Sequence, residues 1–416
     1  MSVDNNIPNA WVETTLGEVC DVQSGRTPST KNHNYWNGNI GWITPKDLSN
    51  YTKVFIKKGE RSITKIGLGN SSAKLLPKHT ILFSSRAPIG YVVIAENEIT
   101  TNQGFKNLVC DEENSHYKFF YYLLKLKADH IEKLSSGSTF SEASASLMKS
   151  IEITIPQSIE EQTPIAQILT AFDDKIENLQ AQNKTLETTA QTIFKEWFGK
   201  YQIGDVLPDG WRVGKLGEVE NLKSGYAFKS KDFVGISKFK ALKIKDLKGN
   251  GIVSISDTSS VDENCTKIDR VQFFKLNQGD IVLAMSGNTT GKIGIVPPHK
   301  IQLFLNQRVG KFFLKNENLK SYLYNFLMSG KFENKILSMG YGSAQPNISP
   351  SQIENIDIIY PKDDKLQEYL VLSNPIFDKV LINNSQIQTL KKTRDTLLPK
   401  LMSGQLRVDE FKEAAV

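Results

Sequence analysis

The feature that most constrains this chain is that it repeats itself. Pro8, Trp11, Leu16, Gly17, Glu18, Val19, Ser24 and Gly25 recur as Pro208, Trp211, Leu216, Gly217, Glu218, Val219, Ser224 and Gly225, each at an offset of 200. Looser matches continue in the same order. Asn102-Gln103 answers Asn306-Gln307, Ile151–Pro156 answers Ile356–Pro361, and Thr185–Thr192 answers Thr389–Thr396, with the offset drifting only to 205. Ordered self-similarity over nearly all of 416 residues means two copies of one folding unit. Each copy reads as a mixed region of about 155 residues followed by a helical segment. The expected divisions are 1–155, 156–204, 205–361 and 362–416.

The mixed regions carry short β-rich runs (79–85, 91–95, 280–285, 292–296) bounded by Gly, Pro and Ser, and helical stretches near 115–134 and 317–338. In the first helical segment Ile165, Phe172, Leu179, Leu186 and Ile193 fall seven apart, and Leu169, Ile176, Asn183, Ala190 and Trp197 each follow by four. That is a heptad seam with one polar position, Asn183, of the kind that fixes register at some cost in stability. Pro164 suits a first helical turn. In the second segment Phe377, Leu381, Leu390 and Leu397 supply the apolar face, while Pro375 and Pro399 should kink or delimit the helix. The fold class expected is α+β, or mixed: two related domains joined by two long antiparallel helices that pair as a coiled coil.

Catalytic signatures are missing. Each Gly-Lys pair is followed by Tyr, Leu, Ile or Phe, so no phosphate loop is formed, and the five histidines lack metal-ligand spacing. Pro297-Pro298 is flanked by Val296 and His299, which is not the loop that holds a flipped adenine, and Asn374-Pro375-Ile376-Phe377 lies in a helical segment. The expectation is no self-contained catalytic centre and no metal site. Three widely spaced cysteines (Cys20, Cys110, Cys265), a polar start and no long apolar run point to a soluble cytoplasmic protein away from membranes.

Charge is unevenly spread. Residues 1–150 carry +3, 151–205 carry −5, 206–360 carry +7 and 361–416 carry +1, giving a net charge of +6. The positive charge is concentrated in two regions with an acidic block between them, and that asymmetry is a functional clue. Polar, Gly-containing loops recur at matching places in the two halves. Ser24, Gly25, Arg26 and Thr27 correspond to the stretch with Ser224, Tyr226 and Lys229. Arg86 lies opposite Asn288, Thr289 and Thr290, Asn102 and Gln103 opposite Asn306 and Gln307, and Ser138 and Thr139 opposite Ser343 and Gln345. Lys223, Lys229, Lys243 and Lys245 belong to a lysine-rich stretch interleaved with Tyr226, Phe228, Phe233 and Phe239. Hydroxyls, backbone N–H groups and lysines position phosphates; Arg, Asn and Gln read base edges. These residues form the candidate DNA-binding set.

Taken together, the Pro-x-x-Trp-x-x-x-x-Leu-Gly-Glu-Val opening of each half, Trp42–Leu48, Ser85–Gly90, Gln162–Phe198 and Leu397–Gly404 resemble the specificity subunits of type I restriction–modification enzymes. The resemblance implies two target-recognition domains with pseudo-twofold symmetry, each reading half of a bipartite double-stranded DNA target. It further implies that the helix pair sets the gap between the halves and docks two modification (methyltransferase) subunits, through which restriction subunits join. S-adenosylmethionine, ATP and Mg would then belong to the partner subunits, and this chain would need no cofactor of its own. A stand-alone DNA methyltransferase or nuclease with duplicated domains is the competing reading, and a coiled-coil scaffold the third.

Overall fold

A computed structural model describes residues 10–135, 142–249, 251–340 and 347–408. The chain divides into two compact units, residues 1–177 with 389–416, and residues 178–388.

The first unit is built on ten strands: β1 (Trp11–Thr15), β2 (Cys20–Ser24), β3 (Trp36–Ile43), β4 (Phe55–Ile56), β5 (Arg61–Ile63), β6 (Ile81–Ser85), β7 (Ile89–Ala95), β8 (Ile99–Thr101), β9 (Phe105–Cys110) and β10 (Glu152–Pro156). They form a five-stranded sheet in the order β2-β9-β6-β7-β4, a three-stranded sheet β5-β3-β8 and a two-stranded ribbon β1-β10. The second unit repeats this with β11 (Arg212–Lys215), β12 (Glu220–Ser224), β13 (Phe239–Leu242), β14 (Gly251–Ile252), β15 (Ser259–Ser260), β16 (Ile281–Ala284), β17 (Ile293–Ile295), β18 (Gln302–Leu305), β19 (Val309–Leu314) and β20 (Asp357–Tyr360). Their sheets run β12-β19-β16-β17-β14, β15-β13-β18 and β11-β20. The parallel pairs correspond as well: β4 with β7 and β3 with β8 in one unit, β14 with β17 and β13 with β18 in the other. The repeat in the sequence is therefore a repeat of topology, strand for strand.

The central strand of each large sheet shows why these residues form it. Side chains alternate across a strand. In β6, Ile81 and Phe83 enter a core shared with the helix Tyr117–Ser135, while Leu82 faces Ile43, Leu48, Ile56, Val93 and Phe105 on the other side. In β16, Ile281 and Leu283 take one core and Val282 and Ala284 the other. A strand covered on both faces reads as a continuous apolar run, as these do. The ribbon at the start of each unit ties its first strand to the strand that leads into a long helix. The Trp11 indole N–H donates to Glu161 Oε1 at 2.9 Å, and the Tyr360 hydroxyl donates to the Lys215 carbonyl at 2.6 Å.

The central helix runs Ile159–Phe198 and the distal helix Asp363–Met402, 40 residues each. Both overrun the proline expectations. Pro164 lies inside the helix, whose start is fixed upstream by Gln162, its side chain donating to the Pro156 carbonyl at 3.1 Å. Pro375 and Pro399 neither end nor divide the distal helix. An interior proline removes one hydrogen bond, a cost of about 3 kcal/mol that flanking packing has to offset. Before Pro375, Ser373 and Asn374 are bonded to Ser321 at 2.6 Å, and around Pro399 Leu397, Leu398, Leu401 and Met402 pack into the first core.

Within each unit the two helices run antiparallel. In the first, Ile165 and Leu169 share a core with Leu401 and Met402, and Asp173, a turn further on, pairs with Arg394 and accepts from the Tyr122 hydroxyl at 2.7 Å. In the second, Asn383 Nδ2 donates to Asn183 Oδ1 at 2.9 Å with both residues buried, and Phe194 and Phe198 pack on Tyr369 and Tyr322. Of the expected seam, Ile165, Leu169, Ile176, Leu179, Phe377 and Leu381 are buried. Phe172, Leu186, Ile193, Leu390 and Leu397 are only half-buried, and Asp173 and Phe194, one place further on, take the inward positions instead. A straight helix at 3.6 residues per turn drifts away from a strict heptad, and here it also packs on strands and short helices.

Two measurements follow. Asp173→Ala leaves Arg394 and Tyr122 without their shared acceptor, and urea denaturation should show a loss of about 3 kcal/mol. In the second unit Glu220 is fully buried with no partner for either side-chain oxygen among the described residues, and burial, with Glu354 nearby, pushes its pKa up to about 8. A carboxyl raised on folding from 4.5 stabilises fully below that pH, and the contribution is lost as pH rises through about 8. Glu220→Gln should flatten this part of the decline in melting temperature between pH 5 and 9; an unchanged profile would place the decline elsewhere.

Candidate nucleic-acid interface

At the end of β2 the chain passes close against another segment. Gly25 lies against the backbone of Asn102 so tightly that a Cβ would collide with the Asn102 carbonyl and the Thr101 hydroxyl. The Gly25 N–H donates to the Phe105 carbonyl at 3.2 Å and the Arg26 N–H to the Thr101 carbonyl at 2.8 Å. The opposite segment is itself a turn, Asn102–Gly104, in which Asn102 Oδ1 accepts from the Gly104 N–H at 2.9 Å. Thr27 Oγ1 donates to Gln103 Oε1, closing the pair of segments through their side chains. Two indoles hold the loop from beneath: Trp42 Nε1 donates to the Arg26 carbonyl and Trp36 Nε1 to the Ser29 carbonyl, both at 3.1 Å.

The second unit builds the same junction. A Cβ on Gly225 would collide with the Leu305 carbonyl; Gly225 N–H donates to Val309 at 3.1 Å, Tyr226 N–H to Leu305 at 2.9 Å, and Gln307 N–H to Tyr226 at 3.0 Å. Asn102 and Asn306 donate to Ile43 and Leu242, at the equivalent ends of β3 and β13. Of the sequence set, 25–27 is thus brought to 102–103, and Gly225 and Tyr226 to 306–307, whereas the Lys229 N–H is bonded to Asp232.

A third element meets the junction in each unit, the end of the central strand. Ser85 N–H donates to Gly104 at 2.7 Å, and Met285 N–H donates to Arg308 at 3.0 Å. From these ends run the tips carrying Arg86 and Asn288–Thr290. Arg86 is not free: its guanidinium lies 3.7 Å from Glu142, whose other oxygen takes a 3.0 Å bond from Lys106. Lys106 is buried and donates as well to Ser85 Oγ at 3.2 Å, so one carboxylate neutralises a buried ammonium and restrains the tip arginine. Asn288 is exposed, whereas Thr289 donates to the Ile244 carbonyl at 3.3 Å and Thr290 to Gly287 at 2.7 Å. Ser138, Thr139, Ser343 and Gln345 lie outside the described residues. Just after them, Ala143 N–H donates to Ser85 and Ile348 N–H to Met285, both at 2.9 Å.

The lysines divide by environment. Lys223, Lys229 and Lys245 are exposed. Lys243 lies 3.5 Å from the Phe233 ring centre, and burial together with Lys245 lowers its pKa. Asp246 caps the turn beneath them, accepting from Lys243 N–H at 2.8 Å, with its carboxyl pushed up to about 6 by burial. The first unit repeats this turn at Thr44–Leu48, where Asp47 accepts from Thr44 N–H at 2.7 Å. The shared Lys-Asp-Leu (Lys46-Asp47-Leu48, Lys245-Asp246-Leu247) was a readable signal for it. Two further cations had no such signal. Arg61 lies 3.7 Å over Trp36, which depends on β5 pairing with β3, and Arg308 is exposed on the turn after Gln307. Among the described residues no group of three or more His, Cys, Asp or Glu could hold a metal, and no helix is long and apolar enough to cross a membrane.

Two copies of one α/β module, each presenting a junction of hydroxyls, amides and cations on a glycine-dependent backbone contact, define a duplicated recognition protein. The chain belongs to the family described as type I restriction modification DNA specificity domain, whose model matches residues 8–188 and 208–392. It is 37% identical to the type I restriction enzyme MjaIX specificity subunit of Methanocaldococcus jannaschii, over 97% of this chain and 95% of that one. It is 25% identical to the MjaVIII specificity subunit of the same organism over 97% and 94%. The fold is similar to the crystal structure of a type I restriction–modification S subunit from M. genitalium, with a TM-score of 0.57, 22% identity and coverage of 96% and 98%.

Gly25→Ala and Gly225→Ala each force loop and turn apart. Each should cost about 1–3 kcal/mol by overpacking, read by thermal melting, and each should weaken DNA binding beyond what the stability loss explains.

Proposed function

We propose that this chain is the DNA-reading specificity subunit of a type I restriction–modification complex. The observation that carries the reading is the recurrence of one loop-and-turn junction in two modules that share an Asn-Gln turn (Asn102-Gln103, Asn306-Gln307) and differ around it: Arg26, Thr27 and Gly104 in one, Tyr226, Ala227 and Arg308 in the other. A repeated backbone with different side chains is what two half-sites of unlike sequence require. In this reading residues 1–155 and 205–361 are the recognition domains. Residues 156–204 and 362–416 are the spacer helices, which set the gap between half-sites and dock two modification subunits. Restriction subunits join through those, in the cytoplasm. The chain supplies recognition and no bond-making chemistry; methyl transfer with S-adenosylmethionine and ATP-driven restriction belong to the partners.

The test is a domain exchange. With residues 206–360 replaced by the corresponding domain of another family member, and the chain expressed with its modification partner, methylation mapping of the host DNA should show one half of the target changed and the other retained. A change in both halves, or methyl transfer to DNA by the purified chain alone, would overturn the reading.

A further inference from the structure

We infer that the first unit reads a guanine through Arg26 and the second through Arg308, two arginines held by the same loop-and-turn junction but standing on opposite sides of it. The inference rests on the reading of the chain as a DNA specificity subunit and assigns side chains within it.

The chain has eight arginines. Five are engaged through their side chains: Arg61 over Trp36, Arg86 with Glu142, Arg212 with Glu218, Arg394 with Asp173 and Arg407 with Glu161. Arg270 is exposed on the short helix Asp269–Phe273, which supplies no hydrogen bond to either junction. Arg26 and Arg308 remain. Both are exposed, neither guanidinium has a bonded or stacked partner among the described residues, and both have their backbone fixed. Arg26 donates its N–H to Thr101 and accepts at its carbonyl from Trp42; Arg308 accepts at its carbonyl from Met285 N–H. A free planar fork on an anchored backbone loses little entropy on binding, and its geometry matches the O6 and N7 acceptors of guanine in the major groove.

Local packing explains why the two come from opposite sides. Gly104 occupies the place in the first turn that Arg308 occupies in the second, and a Cβ there would stand 2.9 Å from Asn102 Oδ1 and 3.0 Å from Pro45. A side chain in the first turn would have to displace the Asn102 side chain, with its bond to the Gly104 N–H, and press on Pro45, and here the guanidinium stands on the loop. In the second unit the loop position equivalent to Arg26 is Tyr226, half-buried and edge-on to Phe228 at 5.0 Å, and the guanidinium stands on the turn. Changing sides shifts the reading group relative to the backbone, so equivalent modules address different positions in their half-sites. The exposed Lys223, Lys229 and Lys245 of the second unit are compact charges suited to phosphate. Arg86, tied to Glu142 and through it to the buried Lys106, is assigned to holding the tip.

The experiment uses the chain in complex with its modification partner and duplexes in which each base pair of the mapped target is replaced in turn. Arg26→Ala should bind the intact target about 10- to 100-fold more weakly and lose discrimination at one guanine of one half-site, leaving the other half-site unaffected. Arg308→Ala should do the same in the other half-site. Arg26→Lys keeps the charge and loses the fork, so it should keep the salt dependence while losing that discrimination. Arg86→Ala should weaken all duplexes alike. Because the backbone bonds at 26 and 308 do not depend on the side chain, melting temperatures should match the parent. Uniform weakening by Arg26→Ala with a shallower salt dependence, unchanged discrimination, or a half-site without guanine would each overturn the assignment. A parent complex showing no sequence preference would instead overturn the functional reading beneath it.

Discussion

The contact between Gly25 and the Asn102 backbone, with its counterpart at Gly225 and Leu305, is the constraint on which the edge proposed to meet DNA depends. Neither glycine is needed for an unusual dihedral; what matters is the missing side chain, which lets two main chains meet and exchange hydrogen bonds. That meeting joins the large sheet to the small one, because the loop leaves β2 or β12 while the turn connects β8 to β9 or β18 to β19. On that fixed base Arg26, Gln103, Gln307 and Arg308 are exposed. In the proposed reading, recognition sits where the backbone is already settled, so that little ordering remains to be done on binding.

Buried polar pairs give the two units their second constraint. The Asn183–Asn383 bond lies buried in the second unit, and the Tyr122–Asp173–Arg394 group lies in the first. Such groups add little net stability compared with apolar packing, yet a slipped register would leave a buried amide or charge unsatisfied. They select one antiparallel alignment within each unit. The interior prolines of the distal helix are tolerated for a related reason, since hydrogen bonds and apolar anchoring on either side hold the helix where its own ladder is interrupted.

Much of this was legible in the chain. The 200-residue offset foretold the duplication, and the heptad spacing foretold long helices with Asn183 at a polar inward position. The recurring Ser-Gly and Asn-Gln pairs foretold two segments that prove to be one junction. What escaped depends on tertiary context. The proline positions suggested breaks because local propensity carries no information about anchoring by Ser321 and Asn318. Phe172 and Ile193 fit the heptad but yield to Asp173 and Phe194 because the helix packs on more than its partner. Arg86 looked as available as Arg26 until Glu142, 56 residues away in sequence, came into reach. Arg308 went unnoticed because the shared Asn-Gln pair ends one place before it, where the copies carry Gly104 and Arg308.

The central claim is that both junctions face DNA. Hydrogen–deuterium exchange of the complex, with and without its specific duplex, tests this most directly. The account predicts DNA-dependent protection at residues 25–29 and 102–104 and also at 225–229 and 306–308, with protection at one junction lost when its half-site alone is scrambled. Protection confined to one unit, or absent from both junctions while the complex is bound, would contradict it.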